Sequence, residues 1–173
     1  MTDASFADSP EDRKSQTGDL LFVYGNLVGW KSNRQGHIAT SPQHADTNAC
    51  DQGARNLVWV RKLLEDIGDA ESTPSVIFVD NKGLISSTIT TPRHQSNKHL
   101  DVKLFYKNEL QTNGTISIQY IETSRLPADA LTKQLPFPAF TAHADVLLGR
   151  TYMPERDGIP HRDATLALRN FEW

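Results

Sequence analysis

Between Ser41 and Gly68 the sequence carries Ala45, Ala49, Gly53, Leu57, Val60, Leu64 and Ile67 at helical spacing. Ser41 can cap the first turn, Pro42 suits its first position, and Gly68 offers a stop. A helix this long with one apolar stripe cannot stand alone, so the rest of the chain must give it a surface to lie on. The flanking segments read as strands. DLLFVYG and NLVGWKS, Asp19–Gly25 and Asn26–Ser32, meet at a Gly-Asn turn and predict an antiparallel pair, with HIAT after the polar NRQG as a possible third strand. SVIFVD, Ser75 to Asp80, is a continuous apolar run that reads as a buried strand with Asp80 at its carboxyl end. HLDVKLFYKNEL predicts a helix with Leu100, Leu104 and Phe105 on one side and Lys103 and Lys107 on another. TISIQYIE alternates like a strand, ADALTKQL reads as a short helix and FPAFTAHADVLLG as a last one. The sum is an α/β arrangement over residues 1–149. Beyond Gly149, the closely spaced Pro154, Asp157, Gly158 and Pro160 predict a loosely attached tail over 150–173.

Composition removes several function classes. A net charge of −3 gives no overall attraction to a polyanion, so nucleic-acid binding would need a local basic patch or metal ions held by carboxylates. The single cysteine, Cys50, excludes an internal disulfide and a Cys-rich zinc site, and suits a reducing compartment. No apolar run approaches the roughly 20 residues that cross a bilayer, and the first residues lack a secretory apolar core. An intracellular chain with no membrane partner is the expectation.

In an α/β fold, polar residues at strand and helix ends meet in one crevice. Four acids stand at such places: Asp3 near the start, Asp46 in the first turns of the long helix, Asp80 at the end of the buried strand and Asp129 at the head of a late helix. Separated carboxylates of this kind suit two hard cations such as Mg²⁺, which roughly 3.5–4 Å apart can activate a water and stabilise a leaving oxygen. Without metal they would raise one another's pKa values. By spacing alone, surface caps account for these acids better.

The order TDASFADSPEDRKSQTG, LVGWKSNRQGHIATS, LVWVRKLLEDIG, FVDNKG, SNKHLDVKLFYKNEL and IETSRLPADALTKQLP resembles the ribonuclease H domain at the end of the Pol polyprotein of copia-type retrotransposons, from Thr2 to about Gly149. The resemblance implies a ribonuclease H-like fold with a mixed five-stranded sheet flanked by helices. It implies endonucleolytic hydrolysis of the RNA strand of RNA–DNA hybrids with two Mg²⁺ or Mn²⁺ ions, and a reverse transcriptase domain of a parent polyprotein as a partner. The cellular place would then be the cytoplasm, in a virus-like particle, or the nucleus. Carried over by position, Asp3 resembles the first-strand aspartate, Asp80 the metal-binding aspartate before asparagine, and Asp129 the final acid of the LADxLTK pattern, which would help hold the second ion and position the attacking water.

The departures define the alternatives. Asp46 stands where the family has glutamate, His44 replaces a second glutamate, and Phe6 stands for tryptophan. The first strand is expected to be short, since the family's chain continues upstream of the residues that match Asp3. Arg13, Lys14 and Ser15 match the family's DRKS run and are expected to shape a turn between the first two strands. Lys98, His99, Lys103 and Lys107 form the candidate nucleic-acid face, weighed equally against a solvated basic face. Besides the active nuclease stand an impaired or inactive remnant acting as a nucleic-acid or protein binding module, and, less compatible with KHLD and ADALTK, an integrase- or resolvase-like nuclease.

Overall fold

The computed structural model describes residues 1–89 and 98–150, with the side chains of residues 88, 89 and 98–101 outside the description. The tail expected over 150–173 falls almost wholly outside the described residues. Chain order runs β1 (Thr2–Ser5), β2 (Gln16–Val23), β3 (Asn26–Arg34), α1 (Pro42–Asp66), β4 (Ser75–Val79), α2 (Lys82–Ile89), α3 (Lys98–Thr112), β5 (Ile116–Tyr120), a 3₁₀ segment over Pro127–Leu131 and α4 (Phe137–Leu147). The strands give the expected mixed pattern. β1, β2 and β3 form an antiparallel ladder in that order, β4 and β5 a parallel one, and β1 packs beside β4 where the two meet.

Local chemistry explains the elements. Ser41 Oγ accepts a hydrogen bond from the His44 N–H, capping α1 as the sequence implies, and Gly68 lies past its end at φ +86°. The β2–β3 hairpin turns on Tyr24 and Gly25, both at positive φ, rather than on Gly25-Asn26. HIAT is not a strand: residues 37–40 are loop that leads to the Ser41 cap, and the sheet's third antiparallel strand is β1. Arg13 sits at φ 54° and Ser15 Oγ accepts from the Ala7 N–H, so the DRKS run does shape the β1–β2 turn. The sequence reading missed α2 altogether. Asn81 Oδ1 accepts from the Leu84 N–H and starts this helix, an asparagine cap legible in hindsight.

Two apolar layers sandwich the sheet. On one side Cys50 and Ala54 of α1 meet Ile77, Val79, Leu84, Leu110, Ile116 and Ile118. Small residues at Ala45, Ala49, Gly53 and Ala54 bury the helix against the strands with no bulky side chain between. On the other side Leu20, Ile121, Leu126 and Ala128 pack with Phe22, Phe78, Leu131 and Leu147. The 3₁₀ segment therefore rides on β2, and that places Asp129.

Candidate active site

The crevice opens where the parallel strands β4 and β5 end, beside β1 and the first turns of α1. A cavity of about 530 Å³ is lined by Asp3, Asp46, Asp80, Asn81, Lys82, Tyr120 and Lys133. Three of the four expected acids line it directly. Asp129 lies just behind, joined through Lys133, whose Nζ is 2.5 Å from Asp129 Oδ1 and 3.5 Å from Asp3 Oδ2.

Each acid is held by a specific neighbour. Asp3 pairs across the ladder with Gly18, and a Cβ at Gly18 would come within 2.6 Å of the Ala128 carbonyl oxygen and 2.9 Å of Thr132 Cγ2. Only glycine lets the 3₁₀ segment come so close, and the approach lets the Thr132 hydroxyl donate to Asp3 Oδ2. Asn81 Nδ2 donates to Asp46 Oδ2 at 2.7 Å, so the residue that caps α2 also orients the acid on α1. Thr123 Oγ1 donates to Asp80 Oδ2 at 2.7 Å. Asp129 is buried, and its backbone carbonyl accepts from the N–H groups of Thr132 and Lys133.

The electrostatics follow from this burial. Asp46 is pushed up to about 6, first by burial and then by the charges of Asp3 and Asp80, against the Asn81 hydrogen bond. Burial likewise raises Asp3, against the hydroxyl of Thr132 and the charge of Lys133. At Lys133 burial works to lower the pKa, but the bond to Asp129 and the charges of Asp3, Asp129 and Asp80 outweigh it and hold the ammonium above its ordinary value. By donor type the set is all hard carboxylate oxygen, which suits Mg²⁺ or Mn²⁺ and not a soft metal. Among the described residues, however, no three of His, Cys, Asp and Glu gather as ligands of one ion.

Lys103 and Lys107 form neither the nucleic-acid face nor the solvated basic face weighed for them. Lys107 is fully buried and donates to the Thr47 carbonyl at 3.0 Å, while Lys103 donates to Asn48 Oδ1 at 2.6 Å. Asn48 in turn donates to Gln35, whose amide donates to Thr17 Oγ1 and the Ala45 carbonyl. Both lysines thus face α1 and lock α3 to it, with Phe105 turned outward and 48% exposed. Helical periodicity places Lys103 and Lys107 on one side but cannot say that this side is the inner one. The side chains of Lys98, His99 and Leu100 lie outside the described residues. The sequence reading also missed Lys133, Asn81, Lys82 and Tyr120. Lys82 sits 4.6 Å over the ring of Tyr120 at the cavity wall. Lys133, four residues after Asp129 in ADALTK, was the legible one, since i and i+4 share a helical face.

Comparisons with known proteins agree with this architecture. A Pol polyprotein from transposon TNT 1-94 of Nicotiana tabacum is 29% identical over 135 residues, 78% of this chain and 10% of the relative. That from transposon RE1 of Arabidopsis thaliana is 27% identical over 154 residues, 88% and 10% of the two chains. The Ty1-JR2 Gag-Pol polyprotein of Saccharomyces cerevisiae is 26% identical over 141 residues, 81% and 8%. The chain is thus similar in sequence to retrotransposon Pol polyproteins. It spans about a tenth of the length of these relatives. No family model matches it. Among solved structures, LC11-RNase H1, isolated from compost, superposes with a TM-score of 0.54 at 14% identity, covering 76% of this chain and 89% of that one. The same enzyme in complex with RNA/DNA hybrid gives 0.55 at 13% identity, covering 76% and 90%. The fold is that of ribonuclease H.

Proposed function

We propose that this chain is a retrotransposon-derived ribonuclease H that hydrolyses the RNA strand of RNA–DNA hybrids with divalent metal ions. The observation that carries the proposal is the crevice at the strand ends, where Asp3, Asp46 and Asp80 line one cavity and Asp129 joins them through Lys133. In this reading Asp3, Asp46, Asp80 and Asp129 hold Mg²⁺ or Mn²⁺. The metal, when bound, supplies Lewis-acid stabilisation of the phosphodiester and a water acidic enough to attack phosphorus. The protein's own part is positioning. Asn81 and Thr123 fix the Asp46 and Asp80 carboxylates, Thr132 fixes Asp3, and the Gly18 approach holds Asp129 against β1. Lys82 and Tyr120 at the cavity wall offer a cation for a phosphate and a ring face for a sugar or base. These two replace Lys103 and Lys107 as the substrate contacts of the reading.

One observation favours a second reading, a remnant that binds hybrid without turnover: among the described residues the carboxylates do not gather three at a time about one point. Both readings are tested by cleavage of a labelled RNA–DNA hybrid with Mg²⁺ or Mn²⁺ beside an Asp80→Asn control. Cutting that disappears in the control supports the nuclease. Binding of the hybrid by folded protein with no cutting in either ion supports the remnant.

A further inference from the structure

Three carboxylates line the crevice, a fourth lies behind it, and one ammonium, that of Lys133, touches Asp3 and Asp129. Asp3 and Asp129 come from opposite ends of the domain, their side chains are only 2% and 7% exposed, and Lys133 Nζ lies against both. The contact is built rather than incidental. The Lys133 N–H donates to the Asp129 carbonyl at 3.1 Å, which fixes the i,i+4 geometry, and the neighbouring Thr132 hydroxyl donates to Asp3. Lys133 itself is 41% exposed along its side chain and lines the cavity, so its ammonium has an open direction in which to move. Two carboxylates removed from water need a counter-charge, and a lysine on a flexible stem can give that charge without holding it rigidly. An ammonium against both acids also occupies the space in which an ion would meet them, in keeping with the absence of a three-acid cluster among the described residues.

Resting on the reading of this crevice as a divalent-ion site, we infer that Lys133 is the resident counter-ion of Asp3 and Asp129, and that a divalent cation binds there by displacing its ammonium into the cavity. The lysine then has two opposite effects. It holds the metal-free domain together, and it competes with the metal.

Mn²⁺ binding, read from the loss of the free-ion electron paramagnetic resonance signal, tests this on wild type, Lys133→Met and Lys133→Arg, with folding checked by thermal unfolding in EDTA. Lys133→Met is expected to melt at a lower temperature without metal yet bind Mn²⁺ roughly tenfold more tightly, because the competing charge is gone. Lys133→Arg, whose planar fork grips carboxylates more firmly, is expected to bind Mn²⁺ more weakly than wild type. In wild type alone, the side-chain ammonium resonance of Lys133 is expected to move to a solvent-exposed position when Mg²⁺ is added. This measurement stands even if a variant fails to fold. Equal or weaker Mn²⁺ binding by folded Lys133→Met, or a Lys133 resonance unmoved by saturating Mg²⁺, overturns the inference while leaving the nuclease reading intact. No Mn²⁺ binding by any of the three proteins overturns both.

Discussion

At Asp46 a carboxylate one methylene shorter than a glutamate reaches into the crevice from α1, and Asn81 takes up one of its oxygens. Misplacement on the order of 1 Å can cost about 10²-fold in rate. Asp46→Glu is therefore expected to raise kcat on a hybrid substrate by roughly ten- to a hundredfold with KM little changed, as steady-state cleavage would measure. The same residue governs pH behaviour. Burial pushes its carboxyl from the ordinary 3.8 up to about 6 in the folded chain, so the metal-free fold binds an extra proton between those values. Its favourable contribution is fully present below 3.8 and is lost as pH rises through about 6. Thermal unfolding in EDTA is thus expected to show stability falling across that interval. Asp46→Asn, which keeps an oxygen for Asn81, should flatten the profile and stabilise the metal-free chain at pH 7 by on the order of 1 kcal/mol. If Asp46 holds metal as proposed, it does so in its ionised form, so the stabilisation by Mn²⁺ is expected to change the other way and grow as pH rises through about 6.

Among the elements, the contact between β2 and the 3₁₀ segment rests on one missing side chain. A Cβ at Gly18 meets the Ala128 carbonyl at 2.6 Å, backbone that cannot swing aside. Gly18→Ala is expected to cost about 1–3 kcal/mol in denaturant unfolding and to lower cleavage further by moving Asp129 away from Asp3. Contact between α3 and α1 depends on a buried charge. Lys107 is wholly enclosed, burial lowers its pKa, and its ammonium satisfies the Thr47 carbonyl. Lys107→Ala is expected to destabilise by about 2–5 kcal/mol through cavity and lost donor, and Lys107→Met by less because the stem volume remains. Hybrid affinity of folded Lys107→Met should stay within about twofold of wild type, because a buried residue makes no phosphate contact. A large loss of affinity in a salt-dependent assay would restore the basic-face interpretation of α3.

For the molecule as a whole, β1, the start of α1, the end of β4 and the 3₁₀ segment bring their acids to one end of the sheet, so an ion bound there, as proposed, would link all of them to global stability. Ligand linkage gives about 2.7 kcal/mol at a concentration 100 times Kd. Saturating Mn²⁺ is expected to raise Tm in wild type and to raise it much less in Asp80→Asn, whose shape is unchanged but whose charge is gone. The apolar layer on the α1 side encloses Cys50, and burial pushes its thiol up to about 11. A thiol reagent should therefore modify the native protein no faster than global unfolding exposes the side chain.

Read alone, the sequence determined the elements whose signals are local. The Ser41 cap and apolar stripe of α1, the continuous apolar run of β4, the alternation of β5 and the last helix are all written in neighbouring residues, and motif order singled out four acids as candidates. Local signals also misled, in HIAT, which has strand composition but only loop to belong to, and in Lys103 and Lys107, whose shared face turned out to be the inner one. Packing alone decided those. Periodicity groups residues by face without saying which face another element covers, and no local pattern announces that Gly18 must lack a side chain for Asp129 to approach Asp3. The placing of Lys133 between two acids more than a hundred residues apart in the chain is likewise a product of the closed fold, because only burial makes a counter-charge necessary there.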